Sequence, residues 1–339
     1  MDKFVLLTPK DKRVYFEVAA ADLSIMPQLV EKDFWVCWIL KILFSLPEIG
    51  SRLTFKGGTS LSKCYNVIKR FSEDVDIAIE RPFLSRDLTI EPDREKSNKK
   101  NRKILKELQL VCKTKINEEI LPCMKQAITA VLPGNGEWKI ELDPEDSSGH
   151  TVLFIFPRAI TSSVESYIKS SVKIEFGARS DHQPAEIAAT VPYVAKVYSS
   201  GAIEGFSVRV LAAERTFWEK ATILHMLYYH PSEKTIQPRM SRHYYDIYAM
   251  ADSPVYKRAL ENISLLKNVS EHKTLFFKTT WARYDEAKPG TLRLLPRDNQ
   301  MDLLKNDYRQ MQEMFFEKPP SFERIIEKLK VIEDQINGS

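Results

Sequence analysis

The sequence lacks any apolar run long enough to cross a membrane, and it lacks the cysteine spacings of a metal site or a disulfide framework. Its most apolar stretch, residues 34–43, is too short to span a bilayer and contains Lys41. The N-terminus has neither the apolar region nor the cleavage site of a signal peptide. None of the four cysteines forms a C-x-x-C pair, which is typical of thiols in a reducing compartment. We therefore expect a cytoplasmic protein with no membrane segment.

Several binding motifs are also missing. The sequence has no G-x-G-x-x-G, so a dinucleotide site has no support, and no second glycine precedes Lys63 as a Walker A loop requires. His225, His230 and His243 lack the spacing and the cysteine partners of a zinc site. The net charge is only +4 over 339 residues, so any contact with nucleic acid must come from local basic patches.

Residues 53–79 combine strand, turn and helix signals in a compact order. A β-prone run is followed by Gly57-Gly58, which predicts a turn. Across residues 61–68 the apolar side chains recur at the i, i+3, i+4, i+7 spacing of one helical face. Thr59 or Ser60 stands where the N-cap of that helix is expected. The N-terminus of such a helix favours a phosphate group.

The end of this stretch, residues 71–79, predicts a second strand that carries two carboxylates. A period of two sends the branched apolar residues to the core and sends Asp74 and Asp76 to the opposite face. Neighbouring carboxylates repel each other unless a cation lies between them, and oxygen ligands suit Mg²⁺. Alone, such a pair is usually a solvated edge and a double glycine is usually only a turn. Together, in this order, they predict a site for nucleotidyl or phosphoryl transfer.

The two segments FKGGTSLSK, residues 55–63, and RFSEDVDIAI, residues 70–79, carry a resemblance to a known family. They resemble the polymerase-β-type nucleotidyltransferase signature in the form found in AbiEii/AbiGii-type abortive-infection toxins of type IV toxin–antitoxin systems. Residues 31–35 (EKDFW), Glu219-Lys220 and residues 241–246 (SRHYYD) agree with it in family order. The resemblance implies an α+β fold, a polymerase-β-like mixed sheet flanked by helices, with a helical C-terminal region.

The distribution of strand and helix signals predicts three regions. Residues 1–50 form a helical segment that packs on the core, residues 51–207 form the nucleotidyltransferase core, and residues 208–339 form a mainly helical domain. Residues 80–106 are rich in lysine and arginine and predict a loop that leads into a helix. That basic run is open to two interpretations, a solvated face or a contact with a phosphate backbone.

The resemblance assigns roles to specific residues. Asp74 and Asp76 are expected to hold a divalent cation, Mg²⁺ or Mn²⁺, and Asp246 is expected to have a catalytic place beside Lys220. The third carboxylate of this enzyme type, which would bind the same cation, is assigned to Glu175, because alternation in residues 171–176 turns it away from the core. A surface glutamate, or a partner for Lys173, is an equally open interpretation. The nucleotide-binding residues implied by the resemblance are Gly57, Gly58, Thr59, Ser60, Lys63, Lys220 and Arg242.

Two smaller expectations concern charged helical residues. Arg242 and Asp246 are four positions apart on a predicted helix, so they share a face and could pair. Composition alone predicts that Glu31, Lys32 and Asp33 form a solvated first turn, whereas the resemblance favours a positioning role for them.

The function implied by the resemblance is a metal-dependent nucleotidyltransferase. It would move a nucleotide from an NTP to an acceptor, with RNA, notably tRNA, as the expected acceptor, and it would act as a toxin opposed by a cognate antitoxin. The alternative is a non-catalytic nucleotide-binding protein on the same fold. A metal-dependent phosphohydrolase is a third, weaker alternative.

Overall fold

A computed structural model describes residues 1–84, 91–134, 137–160, 169–197 and 203–338, except for the Lys196 side chain. Within these residues, seven strands form one mixed sheet in the order β3-β4-β5-β2-β1-β7-β6. Strand β2 pairs in parallel with β5, and β1 pairs in parallel with β7, whereas the other neighbours are antiparallel. The strands are β1 (Leu53–Lys56), β2 (Asp74–Ile79), β3 (Lys139–Leu142), β4 (Thr151–Ile155), β5 (Ser171–Gly177), β6 (Ala185–Thr190) and β7 (Phe206–Leu211).

Helices flank this sheet and make up the C-terminal part of the chain, which confirms the predicted α+β class. The helices of the described residues are α1 (Asp2–Val5), α2 (Pro9–Leu23), α3 (Pro27–Ser45), α4 (Gly57–Lys63), α5 (Arg81–Leu84), α6 (Asn98–Lys115), α7 (Leu121–Thr129), α8 (Ala213–Tyr228), α9 (Ser241–Ala251), α10 (Pro254–Glu261), α11 (Ser264–Phe276), α12 (Asp298–Gln310) and α13 (Phe322–Asn337). No described helix is both long enough and apolar enough to cross a membrane.

The chain divides into two compact units. The first consists of Met1–Cys64, Phe71–Glu91 and Arg102–Leu211, and it contains the whole sheet. The second consists of Tyr65–Arg70, Pro92–Asn101 and Ala212–Ser339, and it contains α8 to α13.

Helix α3 forms the centre of the first unit's core. It is buried on all sides, because apolar residues occupy nearly every position of its middle turns. Trp35 stacks on Phe156 and makes edge contacts with Trp38 and with Phe154 of β4. Burying such large aromatic side chains is the main stabilising contribution expected for this part of the fold.

The helix after Gly57-Gly58 differs from its prediction at both ends. It begins at Gly57 itself, so the N-cap is Lys56, and the predicted caps Thr59 and Ser60 lie inside the first turn. It ends at Lys63, and the left-handed backbone of Asn66, with φ of 52°, excludes a helix that continues to residue 68. The apolar spacing of residues 61–68 was therefore misleading, because the last residues of that pattern reach the core from a loop.

The remaining local predictions fare better. Strands β3 and β4 form an antiparallel hairpin, and β5 lies where alternation predicts it. The basic run of residues 80–106 contains the short helix α5 and leads into α6, which begins at Asn98. Its residues 85–90 lie outside the described residues.

Candidate functional site

Asp74 and Asp76 lie side by side on one face of β2, near the middle of the sheet. The register of β2 with its two neighbours places Lys56 of β1 and Glu175 of β5 beside Asp76, and Lys173 beside Asp74. Paired residues of adjacent strands project from the same face of a sheet. Both aspartates are half-buried and alternate with fully buried apolar residues, which confirms the period of two. The result is one polar face with three carboxylates and two ammonium groups.

Gly57, the first residue of α4, is in direct contact with the Asp76 side chain. Its backbone has φ of +81°, and a Cβ atom built there would lie 2.0 Å from Oδ2 of Asp76. Only glycine lets the backbone come this close to the carboxylate without strain. Asp76 of the predicted strand and the double glycine, which are separate features of the sequence, thus contact each other.

The hydroxyl groups of Thr59 and Ser60 form hydrogen bonds with other groups of the protein. The Thr59 hydroxyl donates to the backbone oxygen of Asp74 and lies 3.0 Å from Oγ of Ser72. The Ser60 hydroxyl donates to the backbone oxygen of Gly57 at 2.9 Å. The first amides of a helix have no intrahelical acceptor, so the backbone N–H groups of this turn have no acceptor within α4.

Glu175 lies beside Asp76, but its carboxylate points to a different partner. Its side chain is 43% exposed and pairs with Nζ of Lys173 at 3.0 Å on the same strand. That contact raises the pKa of Lys173 against the opposing effect of burial, and the nearby Asp74 adds to the increase. The role of Glu175 as third carboxylate therefore stays a prediction.

Lys63 lies at the opposite end of α4 from Gly57, in the core. Its side chain is 5% exposed, and Nζ contacts Oδ1 of Asp33 at 2.7 Å and the Tyr193 ring at 3.7 Å from its centroid. Burial alone would lower the pKa of Lys63, but the Asp33 carboxylate raises it and keeps the ammonium charged. The structure thus brings Lys63 to Asp33 rather than to the first turn of α4, where the predicted phosphate site lies.

Glu31, Lys32 and Asp33 are buried, so the solvated first turn that composition predicts is wrong. Glu31 accepts hydrogen bonds from the backbone N–H groups of Ala159 and Ile160. Burial raises the pKa of Glu31, and these two hydrogen bonds oppose the increase. Composition could not reveal this arrangement, because the partners come from distant parts of the chain.

In the second unit, Asp246 is fully buried between two cations. Its carboxylate accepts hydrogen bonds from Nε and Nη2 of Arg70, both at 2.8 Å, and pairs with Nζ of Lys220 at 2.7 Å. Burial would raise the pKa of Asp246, but Arg70 and Lys220 hold it well below its usual range. Burial lowers the pKa of Lys220, the Asp246 carboxylate opposes this decrease, and the nearby Arg70 adds to it.

Arg70 is the member of this cluster that sequence reasoning missed. The Arg70 side chain is only 2% exposed. The expected pair between Arg242 and Asp246 is not formed, because Arg70 and Lys220 occupy the carboxylate. Among the described residues, half-buried Arg242 has no ion-pair partner.

His243 lies beside this cluster and predicts a pH-dependent stability. Its Nδ1 is buried with no hydrogen-bond partner in the described structure, and burial, then Lys220 and Arg242, hold its pKa well below the usual value. Protonation therefore favours the unfolded state, and the free energy of unfolding should fall as pH decreases below about 6.5, by at most about 1.4 kcal/mol per pH unit. Urea denaturation at pH values between roughly 8 and 5 measures this slope. We expect the slope to be smaller in His243→Gln. An unchanged slope in that variant would contradict the assignment.

Comparison with known proteins decides the family. The family described as "Nucleotidyl transferase AbiEii toxin, Type IV TA system" matches residues 38–328. The chain belongs to this AbiEii family. No curated protein of similar sequence was found. One solved structure with some similarity to this AbiEii-family chain is MenT4, the nucleotidyltransferase toxin Rv2826c from Mycobacterium tuberculosis H37Rv. It has 15% sequence identity and a TM-score of 0.36, and the match covers 87% of this chain and 98% of that one, a likeness too weak to support an argument.

The oxygen donors of this AbiEii-family protein fit a hard divalent cation. Within the described residues, no three His, Cys, Asp or Glu side chains are grouped closely enough to hold a metal ion by themselves. Mg²⁺, however, is usually bound by one or two carboxylates and completes its coordination with water and substrate phosphates. Asp74 and Asp76 supply that minimum.

Proposed function

We propose that this AbiEii-family protein is a metal-dependent nucleotidyltransferase that moves a nucleotide from an NTP to an RNA acceptor, with tRNA as the first acceptor to test. As a toxin it would be opposed by a cognate antitoxin. The main support is the contact between Gly57 and the Asp76 carboxylate, which brings the acidic pair and the start of α4 together within one unit. The family match supports the reaction type.

The residues divide between cation and nucleotide. Asp74 and Asp76 would hold Mg²⁺ or Mn²⁺, which when bound neutralises charge on the triphosphate and lowers the pKa of the attacking hydroxyl. The backbone N–H groups of Gly57, Gly58 and the next two residues would bind phosphate oxygens. Lys220 and Arg242 are assigned to the nucleotide by family resemblance. Lys63 is left out of this set because its ammonium is committed to Asp33.

The proposed reaction forms one phosphoester bond and breaks one phosphoanhydride bond. The hydroxyl oxygen of the acceptor attacks the α-phosphorus of the NTP, the bond from that phosphorus to the β-phosphate oxygen breaks, and pyrophosphate leaves with its electrons. The proton of the hydroxyl passes to a base, for which Glu175 beside Asp76 is the proposed residue.

An RNA acceptor agrees with the charge on α6. In the part of α6 that belongs to the first unit, Arg102, Lys103 and Lys106 are all exposed. Exposed basic side chains of this kind bind the phosphate backbone without reading sequence. They support RNA over a small neutral acceptor.

Incubation with labelled NTPs, Mg²⁺ and total cellular RNA tests the proposal. We expect label to move to RNA with the wild-type protein and not with Asp74→Ala. Thermal stabilisation by a nucleotide without transfer would instead support the non-catalytic binding protein. Release of nucleotide without labelled acceptor would support a phosphohydrolase. Co-expression with the product of the neighbouring reading frame tests whether that product acts as the antitoxin.

We expect Gly57→Ala to lower the transfer rate by more than its loss of stability alone would cause. The new Cβ would overlap Oδ2 of Asp76, so the carboxylate must move, and a displacement of about 1 Å can cost roughly 10²-fold in rate. The left-handed backbone adds about 1–2 kcal/mol of strain. Transfer rate and melting temperature measure the two effects.

Gly290→Ala is the matched control for the backbone strain. Gly290 has φ of +89°, yet a Cβ there meets nothing within 4 Å. This control should lose stability and keep its transfer rate. Equal transfer rates in the two variants would contradict a role for the contact between Gly57 and Asp76.

A further inference from the structure

Three consecutive charged residues of α3 anchor three different segments of the first unit. Consecutive positions of an α-helix point about 100° apart, so each side chain reaches its own target. Glu31 binds the backbone of residues 159–160, and Asp33 binds Lys63 and the backbone N–H of Tyr193. Lys32, with a side chain 3% exposed, pairs with Glu73. Only this last contact reaches the residue directly before the acidic pair.

The sheet face that α3 covers is opposite to the face of the aspartates. Trp35 of α3 contacts Phe154 of β4, and the registers of β4 with β5 and of β5 with β2 put Phe154 and Val75 on the same face. Side chains alternate along a strand, so Asp74 and Asp76 project from the other face. The Lys32 ammonium therefore holds Glu73 on the α3 side, away from the polar face.

A second contact secures the same segment. The Thr59 hydroxyl of α4 donates to the backbone oxygen of Asp74 and lies 3.0 Å from Oγ of Ser72. The chain that enters β2 is thus held by α3 through Glu73 and by α4 through its neighbours on either side. Fixing one residue in this way fixes the alternation, because a shift by one residue turns every side chain of a strand to the opposite face.

We infer that Lys32 is a positioning residue for the acidic pair: its ion pair with Glu73 sets the direction in which Asp74 and Asp76 present their carboxylates to a divalent cation. This inference rests on the proposed function. Lys32 itself touches neither substrate nor cation. Its charge is buried, and such a buried pair is a costly way to gain stability alone, which agrees with a role in geometry.

Binding of Mn²⁺ alone, followed by electron paramagnetic resonance, tests the inference without any turnover. Lys32→Met should raise the Mn²⁺ midpoint about tenfold, because loss of a residue that orients a metal ligand typically costs that much or more. Lys32→Arg, which keeps the charge, should retain most of the affinity. Asp76→Asn gives the reference for loss of the site. In the transfer assay, Lys32→Met should lower kcat and leave KM for the NTP unchanged.

Lys41→Met is the matched control. Lys41 lies on the same helix and pairs with Asp2 at 2.6 Å, in a half-exposed position remote in sequence from the acidic pair. It should leave the Mn²⁺ midpoint unchanged. Hydrogen exchange gives an independent readout: the amides of residues 72–76 should exchange faster in Lys32→Met and at the wild-type rate in Lys41→Met.

The outcomes separate the inference from the proposed function. Lys32→Met could lower the melting temperature and leave both the Mn²⁺ midpoint and the hydrogen exchange of residues 72–76 unchanged. That result would overturn the inference and would not affect the proposed function. If the wild-type protein shows no Mn²⁺ binding that Asp76→Asn weakens, the proposed metal site is overturned. In that case the exchange measurement still decides whether Lys32 holds the segment.

Discussion

Asp76→Asn should reduce nucleotidyl transfer by about 10³-fold and leave the protein folded. The Asp76 carboxylate lies at the meeting point of β2, α4 and β5, beside Gly57 and Glu175. An amide keeps the shape of this side chain but removes the negative charge that would hold a divalent cation. Loss of roughly 4 kcal/mol of charge stabilisation in the transition state corresponds to about a thousandfold in rate. Single-turnover transfer from labelled NTP, at saturating Mg²⁺, measures the effect.

Glu186→Gln is the control for this substitution. Glu186 is an exposed carboxylate on β6, at the edge of the same sheet, and its loss should change neither rate nor stability. Retention of more than about a tenth of the wild-type rate by Asp76→Asn, a loss below 1.4 kcal/mol, would refute a metal-binding role for this carboxylate.

Local periodicity was sufficient to predict which face of β2 carries the aspartates. The alternation of Asp74 and Asp76 with buried apolar residues depends only on the geometry of an extended chain. It could not predict which residues lie beside them, because strand pairing is a long-range property. Lys56 and Glu175 lie beside Asp76 only because β2 lies between β1 and β5.

The burial of charged side chains could not be predicted from the sequence for a related reason. A pattern of apolar residues predicts where a helix faces the core, but it treats every lysine or aspartate as solvent-exposed. Lys63 and Asp33 are both buried because each neutralises the other across two helices. Arg70 is buried in the same way by Asp246, a residue far along the chain. The family resemblance singled out Lys220 and Asp246 and places them side by side, but it did not reveal that Arg70 also contacts Asp246.

That contact changes what Asp246 can do. Both of its carboxylate oxygens are occupied by Arg70 and Lys220, and the side chain is fully buried. A carboxylate in this state is a poor base, because the two cations hold its pKa well below the usual range. We therefore expect Asp246 to position the two cations Arg70 and Lys220, and its catalytic place stays a prediction.

Asp246→Asn should therefore lower the free energy of unfolding by about 3–5 kcal/mol, the usual cost of leaving buried charges uncompensated. Here two cations, Arg70 and Lys220, would face each other without the carboxylate. Lys220→Met should cost less, because the pair between Arg70 and Asp246 remains balanced and keeps two hydrogen bonds. Urea denaturation at neutral pH measures both losses.

Asp252→Asn provides the control at the end of the same helix, since Asp252 pairs with Lys328 on the surface and its side chain is 65% exposed. Surface pairs contribute at most about 1 kcal/mol, so this variant should stay close to wild type. If instead the two ion pairs contribute nothing to the fold, Asp246→Asn would keep the wild-type free energy of unfolding. The ranking Asp246→Asn, then Lys220→Met, then Asp252→Asn in stability loss therefore tests whether Asp246 balances the two buried cations.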